Sequence, residues 1–473
     1  MSPKNEALEI HCGGESVRFS PELLDKYNVA GPRYTSYPTA PEWRTDFGPT
    51  EMRSALEQSN GATSPRPLSL YMHLPFCEHL CLYCGCNTVI SRDHGVAIPY
   101  LADLEREIER FAERLDPGRT VEQFHWGGGT PTYLSPQQME DLFGAARSRF
   151  RFDPNAEIGV EVDPRVTTPE HISKLRRLGF NRLSLGIQDF DPLVQSTVRR
   201  VQPFEATNEL FQQSRGEGFE SINVDLIYGL PHQTVDLFTR TLDRVIEMSP
   251  DRIAMYSYAH VPWLKKQQAA FARFIPEGTA KFELFAAGLR QLTSAGYRFI
   301  GFDHFARPTD ELCVAQEERT LARNFQGYTT HSGCDLLGLG VSAISGIGRV
   351  YAQNFRDLAS YTRRIGDGDL ATMRGIRLTD DDVLRREVIL RILCHGRLRA
   401  REIESEFGID FERYFANESS RLEDLERDGL IERRPGEISV TLLGRIFLRV
   451  VGMVFDAYLR RREGDAPLFS KTV

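Results

Sequence analysis

An α/β protein is what this sequence predicts. It comprises a partial TIM-type (β/α)6 barrel, an N-terminal extension before it, and a mostly helical C-terminal domain carrying a small hairpin. Three observations carry that expectation. From about residue 68, short β-rich runs alternate with longer helical runs; the polar and glycine motifs fall at the ends of those β-rich runs; and the pattern changes again near residue 375. The runs at 68–74, 121–126, 157–162, 181–187, 221–227, 252–258 and 297–302 read as strands. The stretches near 97–115, 136–149, 169–178, 204–217, 234–248 and 277–295 read as the intervening helices. Repeated βα units imply a parallel sheet with helices outside. Six or seven of them suggest a full or partial barrel rather than a two-layer fold.

The motifs support one shared site. Cys77 follows the first strand, Gly127-Gly-Gly-Thr130 the second, and Glu161-Val-Asp-Pro164 closes the third. Gln188-Asp189 closes the fourth, and Asp225 sits near the end of the fifth. Parallel αβ barrels carry their active sites at the carboxyl ends of the strands. Scattered surface glycines and acids would not keep this phase through five successive units.

The flanks read differently. Residues 1–60 are expected to form an extension covering the active site, with 31–38 (Gly-Pro-Arg-Tyr-Thr-Ser-Tyr-Pro) extended and punctuated by proline. Residues 61–374 are expected to form the barrel. In 375–473, Thr379 could cap a helix, helical runs continue to about 428, 429–433 and 437–441 read as a hairpin, and 442–461 as a last helix. The shape suggests a winged-helix-like module. Without a basic recognition stripe, it reads as a structural lid rather than a DNA reader.

Composition narrows the class. The chain has 473 residues, 41% hydrophobic and 26% charged, which is enough for a substantial core. Its net charge of −8 argues against a nucleic-acid partner. The most apolar late stretch, 446–459, is too short to span a bilayer and carries Arg449 and Asp456. The opening Met-Ser-Pro-Lys-Asn-Glu shows no apolar export segment, so a cytoplasmic location is expected.

The chemistry lies in His73-Leu-Pro-Phe-Cys77-Glu-His-Leu-Cys81-Leu-Tyr-Cys84-Gly-Cys86, which holds four of the chain's eight cysteines. The spacing is Cys-x3-Cys-x2-Cys, with a fourth cysteine two residues on. Three thiolates so placed can hold three corners of a cubane iron–sulfur cluster, leaving the fourth iron open to a small molecule. A zinc site would show a second Cys/His pair at suitable distance, and none follows. A disulfide framework needs an oxidising compartment. Cys12, Cys313, Cys334 and Cys394 stand alone and read as small buried or partly buried thiols. The triple glycine lets backbone approach a ligand closely. No Gly-Lys-Ser/Thr follows it, so it is not a phosphate loop. Glu161, Arg200 and Asp225 are each ambiguous alone.

Taken together, these segments resemble the radical S-adenosylmethionine enzymes and, within them, the oxygen-independent coproporphyrinogen III oxidase (dehydrogenase) family. The resemblance runs from about residue 22 to the end. It rests on 31–38, Tyr71-Met-His-Leu-Pro-Phe-Cys77, Cys84-Gly-Cys-Asn87, His125-Trp-Gly-Gly-Gly-Thr-Pro-Thr132, Glu161-Val-Asp-Pro164, Gly186-Ile-Gln-Asp-Phe190, Asp225-Leu-Ile-Tyr-Gly-Leu-Pro231, Gly301-Phe-Asp-His-Phe-Ala306 and Arg323-Asn-Phe-Gln-Gly-Tyr-Thr329. It implies a 4Fe–4S cluster on Cys77, Cys81 and Cys84, with Cys86 beside it and not ligating. It implies S-adenosylmethionine in a pocket lined by Tyr71, Tyr83 (by its backbone), Gly128, Gly129, Thr130, Glu161, Gln188, Arg200, Asp225, Ala259 and Ile344.

Tyr71, His73, Cys86, Phe325 and Gln326 are the catalytic candidates, the last two on the substrate side. The implied reaction converts two propionates of coproporphyrinogen III to vinyl groups through a 5′-deoxyadenosyl radical, fed by a one-electron reductant such as a flavodoxin or ferredoxin. Arg33 is the candidate partner for a propionate, although most arginines are simply exposed. A monomer is expected. The alternatives are a related radical enzyme acting on another tetrapyrrole and a non-catalytic haem-handling protein. Cys86 and the 31–38 motif favour the decarboxylase.

Overall fold

The computed structural model describes residues 7–461 and 469–472. Two compact units divide these residues. A cysteine-loop unit comprises Trp43–Asp225 and Gly333–Leu378; a terminal unit comprises the described parts of Met1–Glu42, Leu226–Ser332 and Thr379–Val473.

The cysteine-loop unit is built on parallel strands. Leu68–Leu74 pairs in parallel with Thr120–Gly128 on one side and with Asp335–Leu339 on the other. Thr120–Gly128 pairs with Arg151–Val162, which pairs with Arg182–Gln188, again in parallel. A strand flanked on both edges reads as a near-continuous apolar run, here interrupted by the buried Ser69 and His73. Six of the seven residues of Leu68–Leu74 are buried, and Tyr71 is the one left half-buried.

The helices start where the sequence supplies caps. Ser135 accepts from Gln138 N–H ahead of Pro136–Arg149, and Thr168 accepts from His171 N–H ahead of Pro169–Leu178. Phe124, Trp126, Phe143 and Phe180 pack edge-to-face or tilted between sheet and helices, with Trp126 and Phe180 at 4.8 Å. Beyond Asp335–Leu339, strands Ile344–Ile347, Val350–Asn354 and Thr372–Arg377 add antiparallel ladders. The sequence reading placed no strands there.

The terminal unit opens with an unexpected hairpin, Leu8–Cys12 with Glu15–Phe19. Gly13 and Gly14 take φ of 58° and 88°, the two-residue reversal that glycine pairs favour. The run at 297–302 is not a further parallel strand. Arg298–Gly301 turns back antiparallel onto His304–Ala306, which pairs antiparallel with Arg252–Ser257. The reversal is tight because Phe302 adopts a left-handed φ of 49°.

Thr379 caps Asp380–His395 as expected, with Asp382 completing the capping box. The hairpin Ile431–Arg434 with Glu437–Val440 gains a third strand, Arg397–Arg399. The expected helix over 442–461 is broken into Leu442–Ile446, Leu448–Met453 and Ala457–Arg460. Asp456 causes the last break: its carboxylate accepts from the N–H groups of Tyr458 and Leu459 and from Tyr34 Oη, so it begins a new helix instead of continuing the old one. No helix among the described residues is long and apolar enough to cross a membrane.

Candidate active site

The cysteine loop leaves the end of Leu68–Leu74 and is tied at its base. Val89 N–H donates to Pro75 O at 2.7 Å and Ser91 N–H to Cys77 O at 3.0 Å. Inside it, Cys84 N–H donates to Cys81 O at 3.0 Å and Leu82 N–H to Val198 O at 2.9 Å. Cys81 is buried, Cys77 and Cys84 are half-buried, and Cys86 is exposed. Burial pushes the Cys77 thiol up to about 12; Thr130 Oγ1, at 3.3 Å, opposes this, while the neighbouring Cys84 and Cys81 add to it. A metal, once bound, displaces that proton.

Cations face the loop. Arg165 Nη2 lies 3.3 Å from Cys81 Sγ and Arg200 Nη1 3.5 Å from it. Donors to a sulfur are what a thiolate-bound cluster needs around it, since they offset its negative charge. The donor set therefore fits a 4Fe–4S cluster.

The glycine segment folds against the root of that loop. Gly129 N–H donates to Leu74 O at 2.8 Å and Thr130 N–H to Phe76 O at 2.9 Å. A Cβ on Gly127 would lie 2.9 Å from Glu161 Oε1, on Gly128 2.5 Å from the His73 ring, and on Gly129 2.6 Å from the Pro75 carbonyl carbon. Gly128 also has φ of 113°, which side-chain-bearing residues rarely adopt. The close approach that the sequence suggests is thus made to the protein's own groups, which the missing side chains let through.

Those groups form a chain. Burial holds His73 below its ordinary pKa, so the ring is neutral. Its Nε2 is 2.9 Å from Asn87 O, which can only accept; Nδ1 is then left to accept from Tyr71 Oη at 3.2 Å. The Tyr71 ring stacks on His125 at 6.2 Å. Glu161 sits low in this space although 45% of its side chain is exposed. Burial works to raise its carboxyl, but His125, 3.7 Å away, and the Gly128 N–H at 3.1 Å outweigh it and hold it below the usual range. Asp225 goes the other way. Burial first, then the charge of Glu161, raise it to about 6, against hydrogen bonds from Ser184 Oγ and Asn223 Nδ2 at 2.8 Å.

On the far side of the loop, Asp163 lies between two guanidinium groups, 2.6 Å from Arg165 Nη2 and 3.0 Å from Arg200 Nη1. Burial opposes ionisation there, but Arg200 and Arg165 bring the carboxyl to about 2. Arg200 also donates to Gly186 O at 2.6 Å, beside Gln188, whose φ of 69° closes its strand. Ile344 begins the strand next to Asp335–Leu339, and its backbone fills the place a side chain on Gly338 would take; Gly338 is the register partner of Tyr71. The half-buried Tyr83 phenol is pushed up by burial.

The cysteine-loop unit thus gathers Tyr71, His73, Tyr83, the four loop cysteines, Gly128, Gly129, Thr130, Glu161, Gln188, Arg200, Asp225 and Ile344. The remaining candidates belong to the terminal unit. Ala259 is exposed just after Arg252–Ser257. Phe325 and Gln326 form the turn between Ala322–Asn324 and Gly327–Thr329. Arg33 donates to Asp303 Oδ2 at 2.9 Å and is one-third exposed. Sequence reasoning missed Asp163, Arg165 and His125, although all three lie in or beside motifs it singled out.

Comparison with known proteins agrees with this chemistry. Residues 71–245 match the Radical SAM superfamily, and 378–447 match the HemN C-terminal domain. The oxygen-independent coproporphyrinogen III oxidase of Pseudomonas aeruginosa is 47% identical, over 94% of this chain and 97% of its own. That of Synechocystis is 43% identical, over 97% and 99%. The structure of Escherichia coli HemN, a coproporphyrinogen III oxidase described as a radical SAM enzyme, superposes with a TM-score of 0.87 at 46% identity, covering 90% of this chain and 97% of that one. The chain belongs to the oxygen-independent coproporphyrinogen III oxidase family of radical S-adenosylmethionine enzymes.

Proposed function

We propose that this enzyme carries out the anaerobic oxidative decarboxylation of two propionate side chains of coproporphyrinogen III to vinyl groups, giving protoporphyrinogen IX in haem and porphyrin biosynthesis. The observation that carries the reading is a three-thiol loop in a chain 47% identical to a coproporphyrinogen III oxidase over 94% of its length. Cys77, Cys81 and Cys84 would hold the cluster, with Cys86 beside it. Tyr71, Tyr83 (by its backbone), Gly128, Gly129, Thr130, Glu161, Gln188, Arg200, Asp225, Ala259 and Ile344 would hold S-adenosylmethionine. When bound, the pair supplies one-electron cleavage of a carbon–sulfur bond, which ends in removal of hydrogen from a propionate.

The chain's own residues do the rest. Glu161, ionised below the usual range, and Asp225 offer negative charge to an ammonium or acceptors to ribose hydroxyls. His73, neutral, fixes the Tyr71 hydroxyl, and the glycine segment sets the wall. Arg165 and Arg200 temper the charge at Cys81. Phe325 and Gln326 stand on the substrate side, and Arg33 takes a propionate. Functionally the chain divides into the extension 1–60, the catalytic 61–374 and the helical 375–473. A flavodoxin or ferredoxin supplies the electron, and the enzyme works as a cytoplasmic monomer.

The test is anaerobic incubation of the reconstituted enzyme with coproporphyrinogen III, S-adenosylmethionine, dithionite and an electron acceptor. The expected product is protoporphyrinogen IX. S-adenosylmethionine cleavage without any decarboxylated porphyrinogen would point to another tetrapyrrole chemistry.

A further inference from the structure

The terminal unit collects cations that its own structure leaves under-partnered. Arg33, Lys281, Arg323 and Arg449 come from four separate segments: the N-terminal stretch, the helix Gly278–Ser294, the hairpin strand Ala322–Asn324 and the helix Leu448–Met453. They are neighbours in space. Arg323 Nε donates to Arg33 O at 3.4 Å, and Arg449 and Lys281 both feel the charge of Arg33. Among the described residues one carboxylate, Asp303, serves the group, and it is bonded to Arg33.

The rest of the bonding is to neutral atoms. Arg449, 4% exposed, donates to Gly31 O at 3.1 Å and Lys471 O at 2.6 Å. Lys281 Nζ donates to Tyr258 O at 3.2 Å. Buried cations without counter-charges are costly, and proteins retain them where a ligand completes the pairing.

Three further observations point to a ligand. Arg323 is 7% exposed, yet its Nη1 has no hydrogen-bond partner. His304 Nδ1 and Gln326 Nε2 are likewise buried and unpartnered. Lys281 occupies the first turn of its helix, the end where the macrodipole disfavours a cation, so stability does not account for it. Burial and the neighbouring Arg449 and Arg33 depress its ammonium to about 8.

The surroundings are flat and aromatic. Arg33 lies 5.6 Å over Tyr256, Arg323 4.5 Å over Phe302 and 4.9 Å over Tyr328, and Lys281 Nζ 5.9 Å from the Tyr228 ring. Cations set among aromatic faces suit an apolar ring system that carries several carboxylates. We infer that Lys281, Arg323 and Arg449, together with Arg33, form the site that grips the carboxylates of the tetrapyrrole, with Gln326 Nε2 as a further donor. The identity of the ring rests on the decarboxylase reading above; the polyanion site itself does not.

The experiment is an anaerobic fluorescence titration of the reconstituted enzyme with coproporphyrin III, an air-stable ring with the same four carboxylates, alongside its tetramethyl ester. Lys281→Met and Arg323→Gln are each expected to weaken coproporphyrin III binding by about tenfold or more, the scale of a charge-assisted hydrogen bond. Lys281→Arg should restore most of it. The ester should bind weakly to every form. In turnover, Lys281→Met should raise KM with kcat largely retained. Cluster absorbance after reconstitution serves as the control for folding. Wild-type binding in both Lys281→Met and Arg323→Gln overturns the site. If the wild type binds coproporphyrin III, loses it in Lys281→Met, and still forms no decarboxylated porphyrinogen, the site stands and the decarboxylase reading falls.

Discussion

Two buried charge clusters, one in each unit, are built in opposite ways. In the cysteine-loop unit Asp163 and Arg119 each meet a counter-charge. Asp163 sits between Arg165 and Arg200, and Arg119 meets Asp335 at 2.7 Å with both side chains almost fully enclosed. In the terminal unit, among the described residues, Arg33, Lys281, Arg323 and Arg449 share Asp303 alone. The first arrangement is complete without a ligand, apart from the metal its thiols await. The second is complete only with an anion. The contrast separates groups that hold a frame from groups that wait for a substrate.

The largest expected effect is on the thiols. Cys81→Ser should abolish the brown 4Fe–4S absorbance after anaerobic reconstitution, whereas Cys86→Ser should keep it and lose activity. Full cluster content in Cys81→Ser would remove the ligand assignment.

Stability sharpens the contrast next. Arg119→Ala strands the Asp335 carboxylate inside the protein and should cost about 3–5 kcal/mol in chemical denaturation. Lys281→Met should do the reverse. Because the folded state holds this ammonium at about 8, below its ordinary 10.5, the charge burdens the fold below pH 8, and the burden fades as pH rises toward 10.5. The variant should therefore gain about 1–3 kcal/mol at pH 7 and lose that advantage in alkaline buffer. Equal destabilisation by both substitutions would erase the distinction between the units.

Kinetics come third. Arg33→Ala should lower kcat/KM by about 1.5–3 kcal/mol, mainly through KM, as expected for a lost hydrogen bond to a charged group. An unchanged kcat/KM would return Arg33 to the role of an Asp303 partner only.

The smallest effect is a titration. Asp225, raised to about 6, is ionised at pH 7.5 and mostly protonated at pH 5. S-adenosylmethionine carries positive charge, so its affinity in equilibrium dialysis should fall by up to about tenfold across that range. Asp225→Asn should flatten the profile.

What could be read from the sequence was local. The cysteine spacing names its own chemistry, and Ser135, Thr168 and Thr379 mark helix starts by hydroxyls that reach the next turn. Asp335-Leu-Leu-Gly-Leu339 escaped because a short, fully buried run carries no period that tells strand from helix. The break at Asp456 escaped because part of its cause, the Tyr34 hydroxyl that holds the capping carboxylate, lies more than four hundred residues away. The pocket residues for S-adenosylmethionine came from resemblance; spacing alone left Glu161, Arg200 and Asp225 ambiguous. The basic cluster was invisible for the same reason as Asp456: positions 33, 281, 323 and 449 meet only in the fold. Arg33 alone was singled out, and only through its motif.

The central claim is that one chain couples a three-thiol cofactor site to a tetracarboxylate substrate. Its most direct test is the stoichiometry of a complete anaerobic turnover. The account predicts two carbon dioxide released and two S-adenosylmethionine consumed for each coproporphyrinogen III converted to protoporphyrinogen IX. Cofactor consumption that releases no carbon dioxide would contradict it.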